Sequence, residues 1–257
     1  MRFTETLRFV LLGLAAYAFI GAGTVEAKKK KVPCRVDLTH CPDKGCGSNF
    51  DPNLNMLKNI RPNDPRAQGS AMNRTLGWMK NLDNPDEFEK GDDRDELSAL
   101  GEGKKISVVA NLISIKPEGA ESCNCGLTQK ELTDNHLVLV TKATLKKFTL
   151  DTEEDEDDVF HARERESITA EFTPRVRKTH PNFTREKVKP LIDEADDHAL
   201  LVRVTGMLMF DSEHFIQHPL KRANNWEIHP ILKFEYCPKG SSCTAQSNAG
   251  WKSLDDL

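Results

Sequence analysis

Between residues 101 and 238 the chain carries five strand-length runs, and one helical stretch separates the third from the fourth. The first run, ISVVANLISI (106–115), is long and apolar. HLVLV (136–140) follows an Asp134-Asn135 turn. SITAEFT (167–173) alternates, with Ile168, Ala170 and Phe172 on one face and Thr169 and Glu171 on the other. Pro174 ends it. Residues 182–197 read as helical, with Thr184 as N-cap and Pro190 as an interruption. LLVRVTGMLMF (200–210) has Gly206 at a bend or bulge. In WEIHPILKFEY (226–236), Trp226, Ile228, Leu232, Phe234 and Tyr236 share a face, and Glu227, His229, Lys233 and Glu235 share the other. Pro230 there argues for an edge or a bulge.

This order predicts a mostly β fold: a five-stranded OB-like barrel with one helical segment, preceded by a cysteine-containing irregular N-terminal arm. Bends in the first and fourth strands suit closure. An open antiparallel sandwich is the alternative.

The flanks divide the rest. Residues 1–27 read as a removable signal peptide: Arg2 and Arg8, then FVLLGLAAYAF (9–19), then Val25-Glu26-Ala27 as a small-x-small cleavage site. The apolar run is shorter than the roughly 20 residues of a membrane span. The expected location is periplasmic or secreted, with no stable span after cleavage. Residues 28–100 form the arm, with short helices at 54–60 and 71–82. Residues 101–238 form the barrel. Residues 239–257 form a loose polar tail. DTEEDEDD (151–158) reads as an acidic loop without the glycine and spacing of a calcium-binding loop.

The seven cysteines, Cys34, Cys41, Cys46, Cys123, Cys125, Cys237 and Cys243, all follow the signal sequence, where disulfides are permitted. An odd number leaves one thiol over, and the connectivity is open.

Five strings resemble a family of uncharacterised exported bacterial proteins: KPEGAESCNCGL (116–127), DNHLVLV (134–140), EFTPRVRKTHPNF (171–183), VTGMLMFDSEH (204–214) and NNWEIHPILKFE (224–235). The resemblance spans roughly residues 101–236. It implies an OB-like barrel and no particular activity.

Four constellations carry the candidate chemistry. Glu227 and His229, two apart on a strand, share a face, and His180, Asp211 and His214 end neighbouring elements. At one barrel rim these five would hold a divalent metal such as Zn, with Glu227 as base in a metal-dependent hydrolase, for example a phosphodiesterase. Cys123 and Cys125 with His136 would suit a soft metal, or else form disulfides to the other cysteines. Met207 and Met209 with His214, His218 and Trp226 would suit Cu, or else pack. The basic stretch 163–189 interleaves arginines and lysines with aromatic rings. Arg175, Arg177, His180, Trp226 and His229 would then face an extended polymer or single-stranded nucleic acid. A net charge of −4 weighs against non-specific nucleic-acid binding. No nucleophile elbow, phosphate loop, dinucleotide fingerprint or HExxH motif occurs. The expectation is a non-enzymatic ligand-binding barrel, with the hydrolase and a structural envelope protein as alternatives.

Overall fold

A computed structural model describes residues 34, 37–47, 50–85, 87–150, 155–214 and 221–257. The expected signal peptide, residues 151–154 of the acidic run, and His218 lie outside them. The arm supplies α1 (Pro52–Lys58), β1 (Met72–Thr75), α2 (Leu76–Lys80) and α3 (Asp95–Leu100). The barrel strands are β2 (Lys105–Pro117), β3 (Asn135–Val140), β4 (Ile168–Phe172), β5 (Leu200–Phe210) and β6 (Trp226–Tyr236). Between them lie α4 (Lys142–Lys147), α5 (Glu156–Glu164), α6 (Pro174–Arg177) and α7 (Arg185–Glu194), and β7 (Lys252–Ser253) ends the chain.

β2 pairs antiparallel with both β3 and β5, β3 pairs with β4, and β5 pairs with β6. A parallel contact between β4 and β6 closes the cylinder. The fold is therefore a closed five-stranded mixed barrel rather than an open sandwich. β1 and β7 extend it by pairing with β2 and β6. β2 can serve two neighbours because it bends. Its first half pairs with β5, its second half pairs with β3, and the register slips between Leu112 and Ser114.

Gly206 marks a second irregularity, where the β5–β6 register shifts on both sides of it. A Cβ there would stand 2.4 Å from the Pro230 carbonyl oxygen and 2.6 Å from Ile228 Cγ2. Gly206→Ala is expected to cost about 1–3 kcal/mol by overpacking. An unchanged urea midpoint would mean that the bulge relaxes freely.

The barrel is filled by fully buried Leu112, Leu137, Phe172, Val204 and Phe234. The Phe172 ring lies 4.7 Å from Phe183 and 5.3 Å from Phe234.

Several local expectations change. Residues 72–75 are a strand, because β1 finds a parallel partner in β2. α7 runs through Pro190, since its buried Val188 and Ile192 hold it against β2. The end of the acidic run is helical, not loop. Asp155 caps α5, and Glu156, Asp157 and Asp158 sit in its first turn, where the helix dipole favours negative charge. The tail docks: β7 pairs with β6, Leu254 is fully buried, and the Arg203 guanidinium lies 5.0 Å from the Trp251 ring centre. Arm, barrel and tail form one unit over residues 32–257.

Disulfides join Cys34 to Cys46, Cys41 to Cys125, and Cys237 to Cys243, and leave Cys123 buried as a free thiol. The second of these ties the arm to the β2–β3 connection. No described helix is long and apolar enough to cross a membrane.

Candidate metal centre

Strand register builds the site. β3, β4 and β6 lie side by side, with His136 opposite Glu171 and Thr169 opposite Glu227. Leu137, Ala170 and Ile228 turn into the apolar core. The alternate residues His136, Glu171, Glu227 and His229 therefore turn to the other face. In a bare barrel that face would meet water. Here the arm covers it, and α1 packs on β6 and on the short 3-10 turn Ser122–Asn124. Local sequence starts α1 sharply: Asp51 accepts hydrogen bonds from the Asn53 and Leu54 amides, and Pro52 opens the helix. Beneath this cover His229 and Asp134 are 0% exposed, and Glu171 and Glu227 are 1% exposed.

His229 is the hub. Its Nδ1 lies 3.1 Å from Glu171 Oε2 and 3.6 Å from Glu227 Oε2, and its Nε2 lies 3.6 Å from Asp134 Oδ2. None of these pairs is aligned as a hydrogen bond. Both ring nitrogens and all three carboxylate oxygens lack a hydrogen-bond partner. The opposite oxygen of each carboxylate is held. Glu171 Oε1 meets His136 Nε2 at 2.5 Å, and His136 Nδ1 meets Glu118 at 2.9 Å. Glu227 Oε1 accepts from Arg222. Asp134 Oδ1 accepts from Asn124 Nδ2 at 2.9 Å. Each carboxylate thus has one oxygen fixed from behind and one aimed at the imidazole, which is how outer partners orient metal ligands. Ligands about 2.0–2.2 Å from a tetrahedral ion stand roughly 3.3–3.6 Å apart, close to the separations around His229. Asp134, Glu171 and His229 each place a ligand atom within 4.8 Å of the others.

The electrostatics agree with a cation-seeking centre. Burial pulls the His229 imidazole down, but Glu171 and Glu227 more than reverse this and push it up to about 10. Burial raises Glu171, yet His136 and His229 hold its carboxyl well below the usual range. Burial first, then Glu121 and Glu171, push Asp134 well above it. Asp134 is thus the carboxyl of this pocket on which burial and neighbouring carboxylates weigh against negative charge.

The residues expected on a binding face have internal partners instead. Arg175 donates to Asn59 Oδ1 at 2.7 Å and to the Cys41 carbonyl at 3.0 Å, and Asn59 donates to the Cys123 carbonyl at 3.0 Å. Arg177 donates to the Thr133 carbonyl. Trp226 is fully buried, its ring 5.3 Å from Phe210 and its Nε1 donating to the Asp83 carbonyl at 2.7 Å. His180 pairs with Asp255 at 2.8 Å and stacks on Phe183. Arg163, in the same basic stretch, is buried against Asp197. Arg175, Arg177, His180, Trp226 and His229 therefore share no exposed face, because internal partners consume them.

The expected metal set divides as well. Glu227 and His229 lie in the centre. Asp211 and His214 pair with each other at 3.1 Å, and Arg222 bridges Asp211 to Glu227. His180 belongs to neither group. Cys125 forms a disulfide and His136 is held by two glutamates, so the soft-metal alternative for Cys123, Cys125 and His136 does not form. Met207 and Met209 are buried, and Met207 packs in the apolar core. Sequence reasoning missed Asp134 and Glu171. The available signal was four titratable residues on one face of three strands that are adjacent in the sheet.

No protein-family model matches this chain, and no curated protein or solved structure matches it.

Proposed function

We propose that this chain is an exported, disulfide-stapled OB-like barrel that binds a divalent cation in a closed centre of Asp134, Glu171, Glu227 and His229, without catalysis there. One observation carries the reading: five polar atoms of four buried side chains point at one another without a hydrogen bond. Each unsatisfied buried group costs about 1–3 kcal/mol, and a cation on the Nδ1 side of the ring would satisfy that nitrogen with the Glu171 and Glu227 oxygens beside it. One imidazole with carboxylates suits Zn²⁺ or Mn²⁺. Cu⁺ prefers softer donors, and the two methionines are spent in packing. A hydrolytic metal needs a coordination position that substrate can reach, which the covered face does not offer. The polymer-binding expectation loses support because its residues have internal partners: Arg175 meets the arm, Arg177 the Thr133 carbonyl and His180 the tail's Asp255.

The OB-like reading rests on strand order, which runs β2-β3-β4-β6-β5 and returns to β2. The signal-like N-terminus and the three disulfides support export.

Elemental analysis of protein purified from an oxidising compartment is expected to find stoichiometric Zn or Mn. A chelator should lower the melting temperature, and Glu171→Gln should bind one equivalent less. Protein that is metal-free, with a melting temperature indifferent to added Zn²⁺ and Mn²⁺, would overturn the proposal.

A further inference from the structure

Cys123 is the thiol left over when the other six cysteines pair, and it is 1% exposed. It does not lie in apolar surroundings. Its Sγ donates to Glu121 Oε2 at 3.0 Å, and the other oxygen of Glu121 meets the buried Lys58 ammonium at 3.2 Å. Glu121, Cys123 and Asp134 each place a ligand atom within 4.8 Å of the others. Asp134 also belongs to the His229 centre, and one of its oxygens has no partner although the side chain is fully buried.

We propose that Cys123, Glu121 and the shared carboxylate of Asp134 form a second metal position, which takes Zn²⁺ through a thiolate. The inference deepens the metal reading of the neighbouring centre and rests on it for the role of Asp134.

Three arguments support it. A thiolate with two carboxylates is a donor set that Zn²⁺ accepts and that Mg²⁺ or Ca²⁺ does not favour. The charges close: a dication and the Lys58 ammonium together balance the Cys123 thiolate, Glu121 and Asp134. Lys58 and Asn124 then act from behind, fixing the other oxygens of Glu121 and Asp134 as outer partners do. An entry path also exists. An open cleft lined by Phe50, Ala120, Glu121, Ser122 and Glu213 reaches Glu121 from solvent. On loading, the S–H bond breaks, a Zn–S bond forms, and the proton leaves to solvent; nothing is oxidised or reduced.

The test is Co²⁺ titration of the full disulfide-bonded chain, read by absorption and by metal analysis. Thiolate ligation adds a sulfur-to-cobalt charge-transfer band that carboxylate or imidazole ligation does not give. Wild type is expected to bind two equivalents with the band. Cys123→Ser should bind one equivalent and lose the band. Glu171→Gln should also bind one but keep it. One equivalent in wild type without a band would overturn this inference and leave the His229 centre standing. One equivalent with a band, unaltered by Glu171→Gln, would leave the thiolate position and remove the His229 centre. No bound metal would end both. The wild-type spectrum decides even if a variant fails to fold.

Discussion

Glu171→Gln is expected to destabilise the metal-free protein by about 3–5 kcal/mol, the usual cost of removing one partner from a buried ion pair. Glu171 is 1% exposed and is the common counter-ion of His136 and His229. The amide fills the same space, so packing is preserved and the loss is electrostatic. Urea unfolding in the presence of chelator measures it. A change under about 1 kcal/mol would mean that water or relaxation already screens the centre.

The same centre gives a signed pH dependence. In the metal-free protein the His229 pKa is pushed up to about 10. Its proton contributes stability that is complete below the unfolded value of about 6.5 and is lost as pH rises through the folded value. Glu171 runs the other way. Its folded pKa is depressed, so its contribution is present above about 4.3 and is lost as pH falls through the folded value. The carboxylates facing His229, those of Asp134, Glu171 and Glu227, favour its proton, and the Lys58 ammonium of the covering helix opposes it. A cation must displace that proton, so its contribution grows as pH rises. Stability curves with and without chelator should therefore separate between about pH 6.5 and 10, with the metal-loaded protein above. Parallel curves would take the cation away from His229.

The strands were the legible part. Leu200–Phe210 and Trp226–Tyr236 coincide with the runs read from sequence, and Ile168, Ala170 and Phe172 face the core as their alternation requires. The site was half legible. The pairing of Glu227 with His229 follows from a period of two, whatever else packs nearby. Glu171 was hidden by that same alternation, because a polar residue opposite an apolar face reads as solvent-facing. It is buried against His136 and His229, beside the strand β6 on which α1 of the arm packs, and no local pattern in residues 37–59 announces where the arm will lie. Asp134, next to Asn135, looks like turn chemistry and is instead fully buried. Long-range docking, not propensity, decides which polar positions of a barrel become a site. The basic stretch shows the converse: Arg175 and Arg177 read as a surface and are spent on Cys41, Asn59 and Thr133.

That docking depends on one covalent link, and its removal should have the largest effect of any disulfide in the chain. Cys41–Cys125 closes a separation of 84 residues, against 12 for Cys34–Cys46 and 6 for Cys237–Cys243. Loop-closure entropy assigns about 4–5 kcal/mol to the first and about 2 kcal/mol to the last. Cys41→Ala/Cys125→Ala should therefore destabilise the protein at least twice as much as Cys237→Ala/Cys243→Ala. The loss should also be local. Without the link, residues 37–59 keep the hydrogen bonds of Arg175, Asn59 and Asn55, the Lys58–Glu121 pair, the Cys46 amide on the Ser122 carbonyl and the packing of α1 on β6. Amide hydrogen exchange should then rise first in residues 37–59 and 121–126, while β2 and β5 stay protected. Bound metal should be lost to chelator faster as the cover opens. A double variant that unfolds as one unit, with exchange rising equally in β5, would mean that the arm is part of the barrel's folding core rather than a cover over a metal centre.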